Sequence, residues 1–156
     1  VYDDASFETA IEAAASVASS LHRSHQPVEV VTTAGETFRR PGASALDLIL
    51  DRLAVVERDP ADHLGLVTAA LRNRLGLGGV VVVTGAPDTA IVDAAAALGA
   101  RRVVTIVATR PSSTPTGSIP VVDAAARPFV DAWNTTRQTH TRWHPANFRS
   151  RSHSPR

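Results

Sequence analysis

Neither cysteine nor lysine occurs in these 156 residues, and all sixteen basic side chains are arginine. Without a thiol there is no disulfide, no thiolate nucleophile and no cysteine-bound zinc, which suits a reducing compartment. No apolar run approaches the roughly 20 residues that a membrane helix needs. No charged-then-apolar signal segment opens the sequence given, so the chain by itself is expected to be soluble. Acidic side chains are missing from one region in particular. Residues 137–156 carry Arg137, Arg142, Arg149, Arg151 and Arg156 with no Asp or Glu, so a mildly acidic body precedes a basic end although the whole chain nets +1. The exclusive use of arginine, beside abundant alanine and valine, reads as base composition rather than selection for a partner.

What remains is 44% hydrophobic, ordinary for a globular protein and enough for one domain with a sizeable core. Phe7, Ile11, Ala14, Ala15, Ala18 and Leu21 recur at the helical period, which predicts an amphipathic first helix from Ser6. Pro27 to Thr33 then reads as an apolar, β-branched strand, and Glu36 to Arg40 as an edge strand opened by Gly35 and broken by Pro41-Gly42. Ser44 with Asp47 suggests a capping box for a second helix, whose apolar face is Leu46, Ile49, Leu50, Leu53 and Ala54. Asp59-Pro60 suggests the start of a third, with Leu64, Val67, Leu71 and Leu75 inward and Gly76 as its stop.

Val80 to Val83 is a continuous apolar run bounded by glycines, the pattern of a central parallel strand deep in a sheet. Pro87-Asp88 opens a fourth helix that Gly99 ends, Arg101 to Ala108 forms the next strand, and 111–118 is a loop by composition. Ile119 to Val122 is a last short strand and Pro128 to Trp133 a last helix. The domain is expected to span 1–138, with 139–156 a basic disordered tail. Alternating helices and strands predict an α/β class with a layered sheet, whose loops at the carboxyl ends of the strands are where sites form.

Few motifs carry chemistry. The glycines of Gly76-Leu-Gly-Gly79 precede their strand, whereas a phosphate-cradling loop must follow one, so a helix stop explains them. Thr84-Gly85-Ala86-Pro87-Asp88 is correctly placed between strand and helix and could hold an anion or a hydrated cation, but a turn capped by Asp88 uses the same residues. Asp4-Ala5-Ser6 could pass for part of a magnesium loop and is better explained as a helix N-cap. His140 and His144 stand at metal-ligand spacing without an acidic third ligand, inside the basic tail. That tail, with Arg142, Trp143, Arg149 and Arg151, offers contacts to an anionic surface or nucleic acid but no recognition fold.

The phrase Ser6-Phe-Glu-Thr-Ala-Ile-Glu-Ala-Ala-Ala-Ser-Val-Ala, with Leu50-Asp-Arg-Leu-Ala54, Val80-Val-Val-Val-Thr-Gly85 and Ala132-Trp-Asn134, resembles the C-terminal portion of a bacterial von Willebrand A-like family. This is the domain-of-unknown-function 58 family, usually encoded beside MoxR-type AAA+ ATPases. The likeness covers about residues 6–134. It implies a three-layer, Rossmann-like sheet with helices on both faces, lacking the first central strand, which such proteins carry with an Asp-x-Ser-x-Ser metal loop after two membrane helices. By that likeness the chain is a truncated member: the cytoplasmic part of a membrane-anchored protein, whose upstream sequence should hold the strand and the helices. In the family a threonine before the third helix and an aspartate after the next central strand complete the metal site. Here those places read Pro60-Ala61-Asp62 and Thr84-Gly85, leaving Thr84 and Asp88 as the rim of a degenerate site.

The resulting expectation is a non-enzymatic adaptor that engages a MoxR-type ATPase or its client, with no cofactor and no bound metal. Two alternatives stand beside it. One is a small-molecule or phosphate-binding domain using Thr84, Gly85 and Asp88; the other is an anionic-surface or nucleic-acid binder acting through the tail. Catalysis lacks a sequence basis, since no residue has an evident base, nucleophile or metal partner in sequence reach.

Overall fold

The computed structural model describes residues 2–39, 42, 44–58, 63–74, 78–100 and 102–139, with the side chains of 137–139 set aside. Five helices pack against two small sheets among these residues. Their order is α1 (Asp4–Arg23), β1 (Val30–Val31), β2 (Thr37–Phe38), α2 (Ala45–Leu53), α3 (Leu64–Asn73), β3 (Gly79–Thr84), α4 (Thr89–Gly99), β4 (Val103–Ala108), β5 (Val121–Asp123) and α5 (Phe129–Thr139). The class is mixed α/β, as the alternation of elements implied. Asp59 to Asp62, Leu75 to Leu77 and the tail from His140 onward lie outside the described residues, and with them the expected third-helix cap, the stop at Gly76, and Arg142, Trp143, Arg149 and Arg151.

Helix α1 begins earlier than Ser6. Asp3 is the N-cap: its Oδ1 accepts from the Ser6 amide at 2.8 Å, while the Asp3 amide donates to Ser6 Oγ at 2.9 Å, a reciprocal box that satisfies two end donors. Alanines fill the following turns, so helix propensity and close packing act together. The helix closes in a Schellman turn. His25 takes the left-handed conformation at φ 54°, its amide donates to the His22 carbonyl at 2.9 Å, and the Gln26 amide donates to the Leu21 carbonyl at 3.0 Å. At α2 the expected capping box is absent: Ser44 makes no side-chain cap bond. Its ψ of 8° departs from the extended backbone from which an N-cap hydroxyl reaches the N2 and N3 amides.

The strands are shorter than their apolar runs. Of 27–33 only Val30–Val31 forms a ladder, antiparallel to Thr37–Phe38, with Gly35 at φ 88° turning the hairpin. The second sheet is parallel, in order β3-β4-β5, with Gly79 opposite Val103 and Ile106 opposite Val121. The run Val80–Val83 is therefore an edge strand of this sheet and not its centre, and its valines are only half-buried. The centre is β4, bonded on both sides, with Ile106 and Val107 fully buried. Local hydrophobicity signals that a strand is covered on both faces, but not how many neighbours it has in its own plane.

Three apolar clusters hold these elements together. Val81, Val83, Val107 and Val122 gather with Ala13, Val17 and Leu21 of α1 and with Phe129, Ala132 and Trp133 of α5. Val80, Val82, Val104, Ile106 and Val121 gather with Leu71 of α3 and with Ile91, Ala95 and Leu98 of α4. The period-2 alternation of the strands thus feeds two helix layers. The third cluster joins Ile11, Ala14, Ala15 and Ala18 of α1 to Val28, Val30, Phe38, Ile49 and Leu53. Helix α1 is consequently apolar around more of its circumference than its expected single face: Ala10, Ala13 and Val17 are also buried.

Ile106→Ala should lower the unfolding free energy by about 2–5 kcal/mol, because the fully buried site cannot collapse around the lost methyl groups. The same truncation at the exposed Val55 should stay within about 0.5 kcal/mol. Urea unfolding of the two variants against the parent checks both figures.

Candidate functional site

The carboxyl ends of β3 and β4 bring Thr84 and Gly85 beside Thr109 and Arg110. Thr84 is buried, and its carbonyl accepts from the Thr109 amide at 3.0 Å and from the Thr109 hydroxyl at 3.3 Å. The Gly85 carbonyl accepts from the amides of both Thr109 and Arg110, each at 3.0 Å. The turn is pinned further along, where the Ser112 hydroxyl donates to the Pro87 carbonyl at 2.6 Å. These bonds lock two strand ends together.

Asp88 does what its position before a helix suggested. It is the N-cap of α4, with its backbone extended and its Oδ1 accepting from the Ile91 amide at 2.9 Å. Its carboxylate is thereby engaged with the first turn. Asp123, at the end of β5, is likewise taken up locally, accepting from the amides of Ala125 and Ala126 at 3.0 and 3.2 Å. No group of three or more His, Asp or Glu side chains converges among the described residues.

Sequence reasoning missed the residues ahead of α1. The Tyr2 hydroxyl donates to the Val83 carbonyl at 3.1 Å, a contact across 81 positions that no local pattern announces. Burial pushes its pKa up from 10.0 to about 12, against smaller opposing effects from the Thr84 hydroxyl and the Gly85 backbone. The Tyr2 ring meets Phe7 edge-on at 5.6 Å. Asp3 has its carboxyl held below the usual range, first by its bonds to Ser6 and then by the nearby arginines; Arg110 Nε stands 3.7 Å from its Oδ2. Asp4, once a candidate ligand, pairs with Arg58 at 2.6 Å.

A second feature lies on the far side of β1. A groove of about 440 Å³ runs between the β1–β2 hairpin and α3, lined by Val31, Thr37, His63, Leu66, Val67 and Leu71 among others. Arg74 closes one end by pairing with the largely buried Glu29, whose other oxygen faces Arg39 at 3.9 Å. Leu66, on its lip, is 71% exposed. A sequence signal for it existed: Leu66 is out of phase with the Leu64, Val67 and Leu71 face of its helix.

Compared with family models, curated proteins and solved structures, the chain matches none. No described helix is long and apolar enough to cross a membrane.

Two measurements test this geometry. Tyr2 is the single tyrosine, and neither lysine nor cysteine is present, so no other side chain ordinarily titrates between pH 9 and pH 12. A tyrosine pKa raised by folding contributes stability fully present below pH 10 and lost as pH rises through about 12. Denaturant midpoints should fall across that window in the parent chain and fall markedly less in Tyr2→Phe. Separately, Asp88→Ala should cost on the order of 1 kcal/mol through the lost cap, and calorimetric titration should detect no micromolar magnesium binding in either form. A magnesium signal abolished by that substitution would restore a metal site.

Proposed function

We propose that the chain is a non-enzymatic protein-interaction domain of the von Willebrand A-like kind with a degenerate metal site, the cytoplasmic part of a membrane-anchored adaptor. The observation that carries an interaction role is the groove between the hairpin and α3. Its lining is mostly apolar, and Leu66 stands exposed at its edge, within reach of a partner. At the strand ends, the Asp88 carboxylate and the Thr84 and Gly85 carbonyls serve helix capping and strand closure, which supports reading Thr84 and Asp88 as structural.

The partner proposed is a MoxR-type AAA+ ATPase or its client. The support for that choice is the resemblance of residues 6–134, joined to the groove. Fold-level likeness alone never assigns a partner. The groove is the surface on which the assignment is tested.

Interferometry with the immobilised chain and a purified MoxR-type ATPase, with and without ATP, should show saturable binding. Leu66→Asp, on an exposed position, should weaken that binding at least tenfold while leaving the thermal midpoint within a few degrees. Binding that survives the substitution unchanged, or no binding by the parent chain in either nucleotide state, would refute the assignment.

A further inference from the structure

The groove beside α3 carries charge at one end as well as apolar walls. The register that sets Val31 opposite Thr37 sets Glu29 opposite Arg39 two residues further along, and side chains two apart share a face. One face of the hairpin therefore holds Val31 and Thr37 in the groove and the Glu29–Arg39 pair at its end, while Val30 and Phe38 turn to the cluster with α1. Glu36 falls on the Phe38 face by the same alternation. Opposite stands α3, whose Leu66, Val67, Ala70 and Leu71 form the other wall and whose C-cap, Arg74, closes it.

The Arg74 end is positively charged. Glu29, with only 11% of its side chain exposed, is paired by Arg74, so the single carboxylate there is already matched. Arg39 is in surplus: its guanidinium stands 3.9 Å from Glu29, and 73% of its side chain is exposed. Arg102 donates to the carbonyls of Leu71 and Arg74, which fixes the end of α3 and brings a further positive charge close by. Among the described residues, three arginines thus meet one carboxylate at this end of the groove.

We propose that the partner segment seated in this groove is an amphipathic helix with an acidic side chain at the Arg74 end, where Arg39 receives it. The inference rests on the reading of the groove as the partner-binding surface and adds the chemistry of what binds. Charge complementarity selects the acid, since a basic end beside apolar walls favours an anionic segment and repels a basic one. The walls select the helix. The hairpin meets the groove through the side chains of Val31 and Thr37, so an extended segment lying there would leave its own amides and carbonyls unpaired, whereas a helix arrives with them satisfied. Leu66 and Arg74 stand eight positions apart, about 12 Å along a helix axis, which sets the acid about two turns from the apolar residue that meets Leu66.

The test uses the full chain and a labelled helical peptide, stapled on its outer face and built of alanine and glutamine, with two leucines one turn apart and a glutamate two turns from the first leucine. Fluorescence anisotropy should show saturable binding. A lysine in place of the glutamate should weaken it at least tenfold in about 20 mM salt, and the gap should shrink to about threefold or less in about 0.5 M salt, where screening is strong. Arg39→Glu should reverse the preference and bind the lysine peptide better, a gain that misfolding does not imitate. Arg39→Gln should bring the two peptides within about threefold of each other, and Leu66→Asp should weaken the glutamate peptide. Equal binding of the two peptides by the parent chain would overturn the proposal, as would an unchanged preference in both Arg39 variants or no binding of the glutamate peptide at millimolar concentration. Should the ATPase bind through Leu66 while the peptides show no charge preference, the groove reading stands and this inference falls. Should the acidic peptide bind and the ATPase not, only the choice of the ATPase falls.

Discussion

Both sheets depend on the packing of α1. One side of the helix, through Ala13 and Val17, is built into the cluster that joins the parallel sheet to α5; another, through Ala14, Ala15 and Ala18, is built into the cluster of the hairpin and α2. Small side chains make this possible. Ala13 and Ala18 are essentially inaccessible to solvent, and a methyl group at each lets a helix approach its neighbours on two sides at once. A bulkier residue at either position would force the two clusters apart, with a strain of about 1–3 kcal/mol. The cap at Asp3 and the turn at His25 hold this helix in register at its two ends.

The same helix packs on both sheets, which share no ladder among the described residues. Hydrophobic burial is not directional, so α1 and α3 can cover both β1 and β3 without any hydrogen bond passing between the strands. Backbone pairing is directional, and among the described residues no strand pairs with the outer side of β3. Val80 to Val83 are half-buried, whereas Ile106 and Val107 on the central strand are fully buried.

At the strand ends the balance differs. Polar groups there are engaged in closing turns: Asp88 on Ile91, Asp123 on Ala125 and Ala126, Ser112 on Pro87. Such local bonds satisfy groups that would otherwise sit unpaired against buried backbone. The strand ends are thus tied together by local bonds, and a mostly apolar groove lies on the flank, between hairpin and helix.

The element types, the α/β class, an edge strand opened by Gly35 and the cap at Asp88 are legible in the sequence, because each is written in residues within a few positions of one another. Periodicity sees the face of an element and capping residues see its end. That Val80 to Val83 is an edge among the described residues, that Val30–Val31 pairs with Thr37–Phe38, that Tyr2 reaches Val83, that Glu29 pairs with Arg74, and that α1 serves two clusters emerge from the folded chain. Those facts concern which strand lies beside which, and an apolar run reads the same with one neighbour as with two. The physical reason is that local sequence encodes burial, while in-plane pairing is set by partners distant along the chain.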